Sequence, residues 1–302
     1  MAISRAQLLK ELLPGLNALF GLEYAKYGEE HKEIYETESS DRSFEEETKL
    51  SGFGAAPVKA EGSAIAYDSA QEAWTARYNH ETIAMGFSLT EEAVEDNLYG
   101  SLSSRYTKAL ARAMAYTKQV KAAAIPNAAF TAGTTYGDGV VLCSTAHPLV
   151  SGGTNSNRPT IAADLNETSL ENAVISIAAW TDERGLLQAA RPKKLVIPPA
   201  LQFVATRLLE TDGRQGTANN DINALRNNNS IPGGYTVNHF LTDTDAWFVL
   251  TDVPNGLKHF TRTKMSTGMD GDFDTGNARY KARERYSFGV SEPLGIYGSP
   301  GA

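Results

Sequence analysis

The stretch from Thr90 to Ile125 limits the possible folds more than any other, because its pattern predicts one long helix. Apolar side chains recur along it at the three- and four-residue spacing of a single helix face. Ser88 to Glu91 fit a capping box, and Pro126 follows as a stop signal. At about 1.5 Å per residue such a helix spans roughly 54 Å, so its apolar stripe needs a partner along its whole length. The predicted stripe comprises Val94, Leu98, Leu102, Tyr106 and Leu110, followed by Ala113, Val120 and Ala124.

Composition excludes several classes of protein. The 302-residue chain has a net charge of −8, which argues against a dedicated nucleic-acid-binding protein but leaves room for local basic patches. Its single cysteine, Cys143, excludes an internal disulfide and a cysteine-rich metal site. No apolar run reaches the ~18 residues that a membrane helix needs, and no signal-peptide core follows Met1. We therefore expect a soluble protein from a reducing compartment, with no membrane partner.

The N-terminal region predicts a short helix and then an acidic stretch. Residues 3–20 form an amphipathic pattern that we expect to be interrupted at Pro14 and Gly15. The acidic stretch is either a solvated linker or an extended arm that lies on a basic surface of this chain or of another copy. Its carboxylates are Glu29, Glu30, Glu33, Glu36, Glu38, Asp41, Glu45, Glu46 and Glu47, against the bases Lys32 and Arg42.

Residues 52–87 have a strand pattern. We expect strands at Ile65–Tyr67, Trp74–Tyr78 and Thr82–Met85. A two-stranded ribbon placed just before a long helix would be marginally stable alone. It therefore has to lie on something larger.

The middle of the chain alternates between helix and strand. Ala128–Asn157 is predicted to be mostly loop around a short strand at Val140–Leu142, and Gly213–Gly234 to be a long exposed loop. The alternation predicts a compact α/β or α+β unit. Its predicted elements are a helix at Leu170–Thr181 capped by Asn166 or Thr168, a strand at Lys194–Pro198, a helix at Leu201–Glu210, and strands at Tyr235–Phe240 and Ala246–Leu250.

The C-terminal region predicts two long strands, Lys258–Met265 and Ala278–Val290, around a turn at Met269–Asn277. Alternation places apolar and basic side chains on opposite faces. We expect the apolar face (Tyr280, Ala282, Tyr286, Phe288, Val290) to support the long helix. Like charges on one sheet face repel, so the basic face needs an anion, either the acidic stretch or a polyanion such as DNA. That face comprises Lys258, Arg262, Lys264, Arg279, Lys281, Arg283 and Arg285.

Candidate chemistry is weak throughout. Cys143 and His147 suggest a Cys–His nucleophile, but such a pair also needs an orienting group and an oxyanion site, and the sequence indicates neither. A buried thiol and a turn histidine are the favoured interpretation. The aspartates from Asp270 to Asp274 resemble a calcium loop, yet Lys281 stands where the bidentate glutamate is required. The sequence therefore predicts no enzyme, no metal and no cofactor.

Several short motifs, in this order and spacing, resemble the major capsid proteins of tailed bacteriophages. Their shared fold is named after the Hong Kong ninety-seven phage, and the resemblance is closest to the Mu-type major head subunit. The motifs are Gly137–Gly139 with Cys143–Pro148 and Ser156–Asn157, then Arg191–Pro199, Asp245–Phe248, Ala282–Gly289 and Gly295–Gly298.

The resemblance implies an α+β chain with named parts. Residues 1–50 would be an N-arm and 51–86 an extended E-loop, whose contacts would involve Tyr67, Trp74 and Tyr78. A peripheral domain would combine the long spine helix in 87–127 with the strands of 255–302. Residues 128–254 would form an axial α/β domain.

The resemblance also implies a function. Such proteins assemble in the host bacterial cytoplasm into hexamers and pentamers of an icosahedral head around double-stranded DNA, and they are not enzymes. Their partners are further copies, a portal, and scaffold or decoration proteins. An encapsulin-type compartment shell is the alternative with the same fold. An α/β hydrolase-type enzyme using Cys143 and His147 is the alternative from another functional class.

Overall fold

The computed structural model describes residues 5–90, 99–213, 221–271 and 277–302. The helices are α1 (Arg5–Lys26), α2 (Tyr99–Asn127), α3 (Glu167–Ala178), α4 (Gln202–Leu209) and α5 (Ala224–Asn227). The strands are β1 (Glu36–Ser39), β2 (Phe44–Leu50), β3 (Glu72–Asn79), β4 (Glu81–Leu89), β5 (His147–Pro148), β6 (Thr154–Asn155), β7 (Pro192–Ile197), β8 (Tyr235–Val237), β9 (Trp247–Thr251), β10 (Leu257–Gly271), β11 (Ala278–Val290) and β12 (Ile296–Ser299). None of the described helices is long and apolar enough to cross a membrane.

The first sheet has four strands in the order β1-β10-β11-β4. Along β11 the side chains alternate as predicted, with Tyr280 and Ala282 buried and Arg279, Lys281 and Arg283 exposed. The buried face packs against α1 and α2. This confirms the predicted helix–sheet layer. Its core consists of Leu16, Phe20, Leu110, Ala111, Met114, Tyr280 and Ala282.

The buried face of α2 differs from the predicted stripe. Leu110 is buried as predicted, but Tyr106 is 44% exposed, so its place in the helix core was predicted wrongly. The fully buried positions lie one residue after the predicted ones, at Ser103, Thr107 and Ala111. These small side chains let α1 approach closely, which apolarity alone does not indicate. Val94, Leu98 and the Leu102 side chain lie outside what the structure describes.

The capping box predicted at the start of the long helix was wrong. Ser88 and Leu89 belong to β4, where they pair with Arg279 and Ala278 of β11, so Ser88 does not cap a helix. The described helix begins at Tyr99, and residues 91–98 lie outside the described ranges. Strand pairing satisfies the backbone here, which a local capping pattern cannot reveal.

The N-terminal helix is not interrupted at Pro14 and Gly15, as the sequence predicted, but continues to Lys26. Proline removes one backbone hydrogen bond from a helix interior. Just beyond it, Leu16 and Phe20 are buried in the helix–sheet core. Tertiary packing of that face offsets the local cost of the proline.

The ribbon forms from different segments than predicted. β2 lies inside the acidic stretch and pairs antiparallel with β3, while β4 pairs with β11 instead of β3. Ile65–Tyr67 is not a strand. β1, also within the acidic stretch, adds to the first sheet in parallel with β10. Strand pairing thus recruits the acidic segment despite its low strand propensity.

The second sheet has the order β12-β9-β7-β8 and packs against α3, α4 and α5. Asn166 caps α3 through a reciprocal pair of hydrogen bonds with Ser169, as one of the two predicted caps. β12 comes from the C-terminal end, so the last residues complete this sheet and not the first one. The division into an arm, a loop and two domains stays a prediction.

Two predicted loops are more ordered than the sequence indicated. Val140–Leu142 is not a strand, yet Leu142 is fully buried. The described part of Gly213–Gly234 is not simply exposed, because Leu225 and Ile231 enter the core of the second sheet. Residues 214–220 lie outside the described ranges.

The helix–sheet layer can be tested with a matched pair of leucine substitutions. We expect Leu110→Ala to lower the free energy of unfolding by about 2–5 kcal/mol, because Leu110 is buried between helix and sheet. Leu22→Ala should cost less than about 0.5 kcal/mol, because Leu22 on α1 is 68% exposed. Urea unfolding of the unassembled subunit measures both. Equal losses would contradict this packing.

Candidate interaction surfaces

The acidic stretch lies on its own chain at several points. Lys258 is nearly buried and pairs with Glu38 at 2.9 Å and with Glu47. Burial disfavours the charged lysine, but the hydrogen bonds that its ammonium donates to Glu47 and Glu38 outweigh this effect and raise the pKa of Lys258. Other carboxylates of the acidic stretch also have partners on the same chain: Glu30 with His239, Glu33 with Lys194, Glu46 with Arg77, Glu45 with Ser40, and Glu29 with the neighbouring Lys32.

A second lysine fixes the ribbon formed by β2 and β3. Lys49 pairs with Glu183 at 2.7 Å and with Glu292, and its ammonium lies 4.4 Å from the centre of the Trp74 ring. Both carboxylates are almost completely buried. Glu183 also accepts a hydrogen bond from the backbone of Val150. This charged cluster joins the ribbon to the second sheet.

Substitution of Lys49 tests this cluster. Lys49→Met removes the cation between two buried carboxylates, so we expect a loss of about 3–5 kcal/mol in the free energy of unfolding. Lys32→Met is the matched control, because the pair between Lys32 and Glu29 is exposed and should change stability by less than about 1 kcal/mol. Urea unfolding at neutral pH measures both. Similar values for the two variants would refute the role of Lys49.

Of the three predicted loop contacts, two lie on the same chain. Tyr78 is buried over Gly289 and hydrogen-bonds Ser291, and its ring meets Phe260 edge-on. The indole nitrogen of Trp74 donates to the carbonyl of Ser291 at 3.3 Å. Tyr67, in contrast, is 94% exposed. The base of the ribbon is therefore attached to the body of the subunit.

Residues 51–71 form an exposed loop beyond this base. Asp68 accepts hydrogen bonds from the backbone of Gly54 and Ser69 and pairs with Arg184 through both carboxylate oxygens. These contacts lower the pKa of Asp68, with the backbone of Gly54 as the largest cause. Large apolar side chains nevertheless face solvent within the loop. They are Phe53, Val58, Ile65 and Tyr67, and Val58 is 99% exposed.

The basic face predicted on the C-terminal strands is only partly open. Lys258 is paired with Glu38 and Glu47 of the acidic stretch, the first of the two predicted counter-anions, so within the subunit it does not belong to an open basic surface. Two irregularities in the pairing of β10 with β11 also separate Arg262 and Lys264 from the regular alternation. The regular part is a row on β11, here called the basic row. It comprises Arg279, Lys281, Arg283 and Arg285.

The Cys143–His147 motif is structural in its contacts. The Cys143 thiol is fully buried, and burial raises its pKa far above the ordinary value. Asp138 does supply the orienting group that the sequence did not indicate, at 2.5 Å from Nδ1 of His147. Nε2 of His147 faces Oδ1 of Asn157 at 2.9 Å. Among the described residues no hydrogen bond joins the thiol to the imidazole.

Asn157 connects the segment that carries Cys143 and His147 to the C-terminal motif. Its side-chain amide donates to the carbonyls of Leu142, Pro293 and Ile296, at 2.7, 2.9 and 3.1 Å. The loop that carries Asp138 and His147 is thereby tied to β12 and the turn before it. Sequence reasoning missed this role of Asn157, because its partners are backbone carbonyls far away along the chain.

No metal centre is formed by the histidine, cysteine, aspartate and glutamate side chains that the structure describes. Asp272 and Asp274, two of the residues that resembled a calcium loop, lie outside the described ranges.

A buried polar cluster lies under the acidic stretch. His31 and His259 are almost completely buried with ring centres 5.2 Å apart, and Nε2 of each has no acceptor or donor among the described residues. Burial, reinforced by the charge of Lys118, lowers the pKa of His31 to about 4 and that of His259 to about 3. Lys118 itself pairs with the buried Glu284 at 3.3 Å.

These histidines make stability depend on pH. The unfolded chain binds protons at both histidines below about pH 6.5, whereas the folded chain keeps them neutral to a much lower pH. The free energy of unfolding should therefore fall as the pH decreases from about 6.5 toward 4. His259→Phe keeps the stacking on Phe288 and should weaken this decrease.

Denaturant midpoints of the unassembled subunit at neutral and acidic pH measure the effect. His239→Phe is the matched control, because His239 is exposed, and it should keep the decrease caused by the two buried histidines. An unchanged decrease in His259→Phe would contradict the prediction.

Comparison with known proteins supports a single family. Residues 73–299 match the sequence profile of the family described as phage capsid protein. No curated protein sequence matches the chain. Many solved structures are similar in fold, among them a virus-like particle and two phage capsids. The virus-like particle from Pyrococcus furiosus has a TM-score of 0.54 at 12% identity and covers 96% of this chain and 99% of that chain.

The other two structures are phage capsids. The capsid of Myoviridae phage XM1 has a TM-score of 0.54 at 13% identity, over 89% of each chain. The capsid of cyanophage P-SCSP1u has a TM-score of 0.57 at 13% identity, over 88% of this chain and 85% of that one.

The fold and these surfaces define a structural protein with the tailed-phage capsid fold, as the sequence predicted. Since the profile matches most of its length, the chain belongs to the phage capsid protein family. It is a major capsid protein, a component of the phage head that associates with further copies of itself. The closer resemblance to the Mu-type subunit stays a prediction.

Proposed function

We propose that the chain assembles into hexamers and pentamers of an icosahedral head around double-stranded DNA, and that it has no enzymatic activity. The exposed loop, residues 51–71, is the observation that carries the intersubunit part of this proposal. It presents Phe53, Val58, Ile65 and Tyr67 to solvent, while its base is fixed by Lys49 and Asp68. We propose that these apolar side chains pack on an adjacent subunit, where they would leave water.

Fixing the base of the loop favours this role. The cluster around Lys49 and the pair between Asp68 and Arg184 limit the directions in which the loop can point. A loop with few directions loses less conformational entropy when it binds. Many equivalent contacts around a closed shell then add cohesion, because the release of one subunit breaks several of them together.

Assembly partners follow from the same proposal. A closed head that takes up DNA needs a portal, and scaffold or decoration proteins are further proposed partners. Assembly would take place in the cytoplasm of the bacterial host.

A compartment shell that encloses enzymes is the second candidate, favoured by the similarity in fold to the virus-like particle from Pyrococcus furiosus. Mass spectrometry of purified particles separates the two candidates. Particles from phage-infected cells should contain DNA and portal protein, while stoichiometric cargo enzyme without DNA would support the compartment shell.

Substitution in the exposed loop tests the intersubunit contact. Tyr67→Asp places a charge on a side chain that is 94% exposed in the subunit, so the fold should be unchanged. Loss of about 1.5–3 kcal/mol per buried apolar side chain should raise the concentration needed for assembly about tenfold or more. Light scattering and negative-stain microscopy against protein concentration measure this.

Ser63→Asp is the matched control in the same loop, because Ser63 is an exposed polar side chain. It should assemble at nearly the wild-type concentration. Wild-type assembly by Tyr67→Asp would argue against the loop as the contact, and a wild-type protein that stays monomeric at all concentrations would overturn the proposed function.

A further inference from the structure

The outer face of the first sheet carries one regular line of positive charge. On this part of β11, every second side chain is basic, from Arg279 to Arg285. Side chains two residues apart on a strand are about 6.6 Å apart, so the basic row extends over roughly 20 Å. Its opposite face is buried under α1 and α2, which leaves the basic row as the accessible side.

The neighbouring strands leave this row uncrowded. Lys281 stands between Gly86 of β4 and Gly268 of β10, and Arg283 between Ala84 and Ser266. Arg285 stands between Thr82 and Thr263, and Arg279 between Ser88 and Asp270. Nearly all of these flanking side chains are small and neutral, so an extended anion can approach the bases closely.

One end of the row shows unsatisfied donors. The Nε groups of Arg285 and Arg262 are buried and have no acceptor among the described residues. Burial, together with the charges of Arg285 and Arg262, lowers the pKa of His80, and Glu45 only partly opposes this. Arg285 also donates to the carbonyl of Ser43, at a long 3.5 Å. Guanidinium groups are well suited to bind phosphate oxygens, and because Nε is buried the contact has to be made through the terminal nitrogens.

Much of the acidic stretch of the same chain is paired away from this row. Glu38 and Glu47 pair with Lys258, and Glu33, Glu46 and Glu30 pair with Lys194, Arg77 and His239. None of the described residues that pair with the row across β4 and β10 is aromatic or a large aliphatic side chain, the types that form the centre of a protein–protein interface. A line of evenly spaced bases between small neutral side chains fits a linear polyanion better than it fits a folded partner.

We infer that the basic row is a sequence-independent contact for the phosphate backbone of duplex DNA. The inference rests on the proposed function, since it requires a shell that encloses DNA. Duplex DNA is a linear polyanion with one phosphate per about 3.4 Å of axis on each strand, so a basic row of roughly 20 Å lies alongside several phosphates. The contact would hold DNA against the subunit without reading its sequence.

Binding to a labelled 30-base-pair duplex tests the inference, measured by fluorescence anisotropy on the full-length, unassembled protein over a range of salt concentrations. The variant is Lys281→Gln with Arg283→Gln, two exposed side chains whose loss should not affect folding. The slope of log K against log salt should become shallower by about 0.9 per removed charge, with weaker affinity at every low-salt concentration.

Arg191→Gln with Lys193→Gln is the matched control, since these bases are also exposed and two residues apart, Lys193 on β7 and Arg191 just before it. It should bind like the wild type. Equal binding by the basic-row variant and the wild type, or no binding by the wild type, would overturn the inference. If the basic-row variant binds DNA normally but no longer assembles, the row contacts a neighbouring subunit and the inference is wrong. Shells that form without any DNA affinity would overturn the inference and leave the assembly role standing.

Discussion

The pairing of β10 with β11 is the interaction on which the rest of the structure depends. Buried and exposed side chains alternate along β11, so its pairing with β10 gives the sheet one buried and one open face. The buried face supports α1 and α2, which could not bury their own faces alone. The outer edges of the pair accept β1 and β4, so segments from the acidic stretch and from the ribbon region become part of one sheet.

Charge performs a different task at each end of this sheet. Beside the ribbon of β2 and β3, Lys258 of the first sheet and Lys49 of the ribbon are each held between two carboxylates. These ion pairs fix the direction of the ribbon. Removing either partner would leave a charge in a dry environment, which gives such contacts geometric specificity. Where the sheet is open, the bases of β11 face outward, and their cross-strand neighbours are neutral except for Asp270 opposite Arg279. One chain with a net charge of −8 thus keeps an accessible basic surface.

A capsid subunit needs elements that are incomplete in isolation. The loop of residues 51–71 has exposed apolar side chains and a rigid attachment at its base, a combination of little use to a monomer.

The Cys143–His147 motif, in contrast, is complete within the subunit. It resembles a catalytic pair in sequence, yet Asp138 and Asn157 use the imidazole to fasten a loop to the C-terminal strand. Cysteine and histidine side chains that suggest catalysis can instead serve to connect segments. Burial of the thiol distinguishes such a structural motif from a reactive one.

Sequence alone determined what depends on local periodicity. The alternation of β11 followed from a spacing of two residues, and Asn166 was one of two caps predicted for α3. The fold class followed from the resemblance of several short motifs to a known family. Tertiary structure decided everything that depends on a distant partner. It formed β2 largely from the acidic stretch and paired this strand with β3. It also turned the buried face of α2 away from Tyr106 and paired Lys258 with Glu47. The reason is that hydrogen bonds across strands and ion pairs between distant segments outweigh local propensity, and a single sequence carries no record of which distant segments meet.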